Sequence, residues 1–203
     1  MLYIIGLAHR AQSRKADVAE TEAQQSYGNL LRQMIHDVRP VCLAEEDSDE
    51  ALAERNEVSI AQTVAAENKI QHLLCDPTQQ QRRDIGYKNG QDLELKMFMS
   101  GAGNCSDEQI RLKARAIEIL RYFPIRERFW LDRFVDLLPE GVIFICGDGH
   151  IESFGRILDS NGIQYKVVSR GIGLTEEDDW FYEVLQYAKE HSELRTSNEH
   201  FLQ

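Results

Sequence analysis

The run Val142-Ile-Phe-Ile-Cys146 is apolar at every position, and no other stretch constrains the fold of this chain as much. A strand with one wet face alternates apolar and polar residues. A strand without alternation is covered on both faces, as in parallel sheets with helices above and below. The run ends in Gly147-Asp-Gly-His150, and the chain begins with a shorter version of the same design, Leu2-Tyr-Ile-Ile-Gly-Leu-Ala-His9. Two buried strands therefore each end in Gly-x-x-His, at residues 6–9 and 147–150.

Between and after these segments, apolar runs alternate with helical spacing. Ala16 to Val38 is expected to be a helix, with Tyr27, Leu30, Leu31, Met34, Ile35 and Val38 recurring every three or four residues. Pro40 ends it. Val41 to Ala44 and Lys69 to Cys75 are expected strands, with one or two helices over 49–66 between them. Ser106 caps a helix, with Gln109 three residues on, that runs to Phe123 and breaks at Pro124. A further helix is expected over 125–138, with Phe129, Trp130, Phe134 and Leu137 on one side. Helix 151–160, strand 164–169 and helix 176–192 complete the series.

Parallel neighbours need crossovers of helical length. The expectation is a single α/β domain over 1–203, a mainly parallel sheet flanked by helices on both faces, with the functional edge at the strand C-termini. Residues 78–104 are expected to be an irregular insertion or lid, and 193–203 a polar tail.

Charge and composition narrow the function. A net charge of −11 argues against a general affinity for nucleic acid, whose binders carry a basic face. No apolar run approaches the length of a membrane span, and no basic leader with a cleavage site is visible. Cys42, Cys75, Cys105 and Cys146 are scattered without CxxC spacing, which favours reduced thiols over a zinc set and a cytoplasmic location.

In open α/β sheets the ligand crevice lies outside the carboxyl ends of the strands. This chain places His9 and Arg10 there, Glu45-Glu46-Asp47, Asp76, Asp148 and His150, and Arg170. Two imidazoles with carboxylates suit a divalent transition metal such as Mn, Co or Zn. The candidate ligands are His9, Glu45, Glu46, Asp76 and His150. Strand parity leaves open which of Glu45 and Glu46 turns inward. Asp148, or the glutamate that does not bind metal, is the candidate general base. Arg10, Arg126 and Arg170 are candidates for stabilising an oxyanion or orienting an acidic substrate group. Gly6 and Gly147 suit close approaches to the strand, and Gly149 a positive φ that aims the imidazole. Each residue also has an ordinary reading: hydrogen-bonded structural histidines, a solvated acidic helix start at 45–50, a plain Asp76-Pro77 turn, surface charge at Arg126-Glu-Arg128, and core packing for Trp130 and Phe134.

These residues resemble the TraB/TIKI/GumN group and its erythromycin-esterase-like and ChaN-like relatives. Gly6-Leu-Ala-His9 and Gly147-Asp-Gly-His150 match that group's two Gly-x-x-His motifs. Ala44-Glu45-Glu46 stands at its glutamate position, and Arg126-Glu-Arg128-Phe-Trp130 resembles the helix before its second motif. The chain departs from the pattern in having Arg-Glu where Arg-Asn is common, and in a 78–104 region without a counterpart. The resemblance implies a metal-dependent hydrolase-like site, peptidase- or esterase-like, acting on a small-molecule or peptide substrate. The alternative is a binding or regulatory protein of the same fold, for example in a bacterial stress or defence pathway. A homo-oligomer is open under either reading.

Overall fold

The computed structural model describes residues 1–100 and 106–196. The expected loop at 101–104, Cys105 and the tail beyond Thr196 lie outside the described residues. The chain divides into two compact units, Met1–Thr78 with Glu127–Thr175, and Gln79–Arg126 with Glu176–Gln203.

The first unit is the expected α/β structure. Its strands are β1 (Leu2–Leu7), β2 (Ser13–Lys15), β3 (Cys42–Glu45), β4 (Glu57–Ser59), β5 (Gln71–Leu74), β6 (Val142–Gly147) and β7 (Tyr165–Ile172). Five of them form one sheet in the order β5-β3-β6-β1-β7, and every pairing in it is parallel. The Val142 run lies at the centre, between β3 and β1, so the ends of the three strands carrying the glutamates and the Gly-x-x-His segments are neighbours.

Parity along these strands sorts the core into two layers. Leu2, Ile4, Cys42, Ala44, Val142, Phe144 and Cys146 pack on one face with Trp130, Leu131, Phe134, Phe154, Ile157 and Leu158. Ile5, Leu7, Leu43, Ile143 and Ile145 pack on the other with Tyr27, Leu31, Met34, Ile60, Ala61 and Val64. The helices are α1 (His9–Gln12), α2 (Glu22–Val38), α3 (Asp49–Arg55) and α4 (Ile60–Asn68). After them come α5 (Gln79–Asp84), α6 (Gly90–Met99), α7 (Asp107–Ile117), α8 (Phe123–Phe134), α9 (Ile151–Ser160) and α10 (Asp179–Glu190). The helix expected from Ala16 starts later, at Glu22, where Thr21 and Gln24 form a capping box. Residues 13–15 instead pair antiparallel with β4, a ladder too short to leave a periodic signal.

In the second unit, residues 79–100 are more regular than expected. They hold α5 and α6, the latter capped by Asn89. Tyr87, Leu93 and Met97 pack there with Ile110, Ala114 and Ile117. Ser106 caps α7 in a capping box with Gln109, as expected. Pro124 does not break the chain's helical path. A π-helical turn at Glu118–Tyr122 precedes it, and the wider ring absorbs the missing N–H and the clash with the preceding turn. Among the described residues, no helix is long and apolar enough to cross a membrane.

Candidate functional site

The two Gly-x-x-His segments meet, because β1 and β6 are paired through Leu7 and Gly147. His9 opens α1 directly after β1, and His150 closes a 3-10 turn (Asp148–His150) after β6. Between them stands Glu46, one residue beyond β3, whose N–H bonds Ile145 O at 2.8 Å. Its Oε2 accepts the Gly147 N–H at 2.7 Å. Its Oε1 faces His150 Nε2 at 3.4 Å and His9 Nε2 at 3.7 Å. Glu46 is fully buried, while the His9 side chain is 62% exposed.

Gly147 is the condition for this meeting. A Cβ there would lie 2.8 Å from His9 Nε2 and 3.4 Å from Glu46 Oε2. Gly6 serves a different approach, since its Cβ would lie 2.3 Å from Ile151 Cδ1 and 2.7 Å from Asp148 Oδ1. Gly149 is not among the glycines with positive φ. The 3-10 turn itself aims His150, so the expected left-handed glycine is not needed.

Behind His150 the sequence reading missed a partner. Glu127 Oε1 lies 2.8 Å from His150 Nδ1 and also accepts the Ser153 hydroxyl. A carboxylate can only accept, so Nδ1 carries the proton and the lone pair of a neutral ring points through Nε2 towards Glu46. Glu127 looked like helix surface charge, yet it is fully buried. Trp130 flanks the same imidazole, ring centroids 4.8 Å apart, and donates its Nε1–H to Asp76 Oδ1 at 3.0 Å.

Glu45 points away from the histidine pair. It shares the parity of Leu43 and accepts from Gln12 Nε2 at 2.9 Å, with His72 Nε2 2.7 Å from its other oxygen. Burial, and secondarily the Glu45 charge, push the Tyr27 phenol well above its ordinary pKa. Asp47 pairs with Arg55 at 2.7 Å, although burial outweighs that cation and raises its pKa. Asp148 accepts from Arg170 at 3.1 Å and from the Gly171 N–H at 2.9 Å, which ties β6 to β7. Arg10 donates to Thr175 Oγ1 at 2.8 Å. Arg126 belongs to the second unit, where it lies 5.8 Å from the Tyr87 ring centroid.

Of the candidate ligands, His9, Glu46 and His150 are thus brought together, while Glu45 and Asp76 are engaged with other side chains. A direct hydrogen bond from either imidazole to Glu46 is not made, since N–H···O contacts run to about 3.2 Å. Two ligand atoms about 2.1 Å from a shared tetrahedral ion stand about 3.4 Å apart, close to the His150 separation. Among the described residues, however, no three His, Cys, Asp or Glu side chains already stand as a group that could hold a metal ion. The exposed His9 ring is the farthest of the three from closure.

Comparison with protein-family models, with curated proteins and with solved structures found no match.

Proposed function

We propose that this chain is a metal-dependent hydrolase whose divalent ion is held by His9, Glu46 and His150. One observation carries the reading. With Nδ1 committed to Glu127, the Nε2 lone pair of a neutral His150 faces the buried Glu46 carboxylate at 3.4 Å. Two acceptors at that separation repel unless a proton or a metal cation lies between them, and a metal cation can also take His9 as a third donor. Two imidazoles and a carboxylate are a donor set suited to Mn, Co or Zn, and a turn of the exposed His9 side chain is what closure requires.

When bound, such an ion supplies a water of lowered pKa and a Lewis acid for a carbonyl. The chain's own residues do the rest. Glu127 fixes the tautomer and orientation of His150. The Gly147 N–H holds Glu46 so that one oxygen is presented to both rings. Arg10 on α1 and Arg170 on β7 orient an acidic group of a small-molecule or peptide substrate. Asp148 is held by Arg170 and Gly171, so in this reading it shapes the strand end instead of acting as general base. The same reading extends the likeness of the two Gly-x-x-His segments to the TraB/TIKI/GumN group.

The test is turnover of p-nitrophenyl esters and short peptides with added Mn, Co or Zn. Turnover that vanishes in His9→Ala and His150→Ala variants with wild-type melting supports the reading. Full turnover in both variants overturns it. A second reading, a non-catalytic binding protein of the same fold, is favoured by the lack of a ready three-residue metal group among the described residues. A purified chain that holds no transition metal, shows no metal affinity on titration and turns over no substrate would select it.

A further inference from the structure

Glu45 lies beside the proposed ligand Glu46, has no exposure, and takes no direct part in the histidine pair. Its contacts form a chain of their own. His72, on the edge strand β5, stands 2.7 Å from Oε1. Gln12 donates from Nε2 to Oε2 at 2.9 Å, and the same nitrogen lies 3.2 Å from the Glu46 carbonyl oxygen. Gln12 is the last residue of α1 and His9 the first. The short helix is thus hooked by its C-terminal end to residues 45 and 46, while its N-terminal end presents His9 to the Glu46 side chain.

The Gln12 amide is not at this position for shape. Its Oε1 is buried and has no hydrogen-bond partner, and burying an unsatisfied carbonyl is unfavourable. A methionine or leucine would fill the same space without that penalty, so what glutamine uniquely contributes is an NH2 group bridging Glu45 and the Glu46 backbone. A four-residue helix has almost no stability of its own. Arg10 ties the helix to Thr175 Oγ1, and its carbonyl accepts from Gln24 Nε2, while Gln12 is the α1 side chain that reaches residues 45 and 46, beside the partners of His9.

We infer that His72, Glu45 and Gln12 form a positioning relay for His9: His72 fixes the Glu45 carboxylate, Glu45 fixes the Gln12 amide, and Gln12 fixes the helix that carries the imidazole. The inference rests on the reading of His9, Glu46 and His150 as an ion site. It places Glu45 one step behind that site as a positioning residue.

The experiment is a double-mutant cycle on the full chain, read as cobalt(II) affinity by titration calorimetry and as the His9 ring signals by nitrogen-15 NMR. Gln12→Met, nearly isosteric but without N–H donors, is expected to weaken cobalt binding by about 10- to 100-fold, the usual effect of losing an outer-shell partner. In a His9→Ala background it is expected to do nothing further, because its effect travels through His9. His72→Asn, on the sheet edge, supplies a second variant should Gln12→Met fail to fold. Equal losses with and without His9 overturn the relay. If the wild type binds no cobalt, the metal reading fails by itself. The relay is then decided by NMR: a single sharp His9 ring environment that becomes averaged in either variant supports it, and an unchanged ring overturns it.

Discussion

Glu127 and His150 are buried together, Oε1 to Nδ1 at 2.8 Å, with the Ser153 hydroxyl donating to the same oxygen. Replacing Glu127 with Ala strands both partners inside the fold. Each buried group left unsatisfied costs about 1–3 kcal/mol. The denaturant midpoint should fall accordingly, with a smaller fall for Glu127→Gln, which keeps an acceptor oxygen. Metal affinity in Glu127→Gln should still drop about 10- to 100-fold, since the amide no longer supports the imidazole as a carboxylate does.

The two strand-end glycines should respond oppositely to alanine. At Gly147, φ is −57°, which alanine adopts freely, and the nearest atom, 2.8 Å away, belongs to the half-exposed His9 ring. The ring can swing outward, so Gly147→Ala should change stability by less than about 1 kcal/mol while abolishing metal uptake. At Gly6 the new Cβ meets Ile151 Cδ1 at 2.3 Å in a packed layer. Gly6→Ala should cost about 1–3 kcal/mol through overpacking. Thermal melts of the pair beside metal titrations separate the two roles.

Asp76 and Glu46 should also part company. Asp76 accepts from Trp130 Nε1, and Asp76→Asn retains an acceptor oxygen, so bound metal should be unchanged. Glu46→Gln removes the charge between the imidazoles and should release the ion. Equal metal loss in both variants would return Asp76 to the ligand set.

At high pH the core thiols should weaken the fold. Burial pushes the Cys42 thiol from 9.0 up to about 12, and Cys75 is raised for the same first cause. A raised folded pKa means that the folded state keeps its protons while the unfolded state loses them. This contribution is fully present below about pH 9 and is lost as pH rises towards about 12. Melting temperature should therefore fall above pH 9, and the fall should be shallower in Cys42→Ala. Folded protein should resist alkylation at Cys42 and Cys75 at pH 8.

Much of this architecture was legible in the sequence because burial on both faces leaves an unbroken apolar run. Val142–Cys146 marked the central strand, and parallel pairing put His9 and His150 at the same sheet edge, while the adjacency of β1 and β6 that makes them neighbours is seen only in the fold. Parity could not choose between Glu45 and Glu46, because the strand ends at that boundary. The backbone resolves it: Glu45 keeps the Leu43 face, and Glu46 turns across to Gly147. Glu127 was hidden by its neighbours, since a carboxylate between two arginines looks like solvated helix surface until its imidazole partner is seen. His72 gave no signal, because its role depends on β5 lying beside β3. The helices within 78–104 were obscured by glutamines and charges, and are supported by packing around Tyr87, Leu93 and Met97, not by a strong periodic stripe.

The central claim is that His9, Glu46 and His150 hold one ion. Its most direct test is elemental analysis of the purified full chain after saturation with Mn, Co or Zn and removal of excess metal. The account predicts one transition-metal ion per chain in the wild type, and none in Glu46→Gln or His150→Ala proteins that melt as the wild type does. A wild type that retains no metal, or variants that retain a full equivalent, would contradict it.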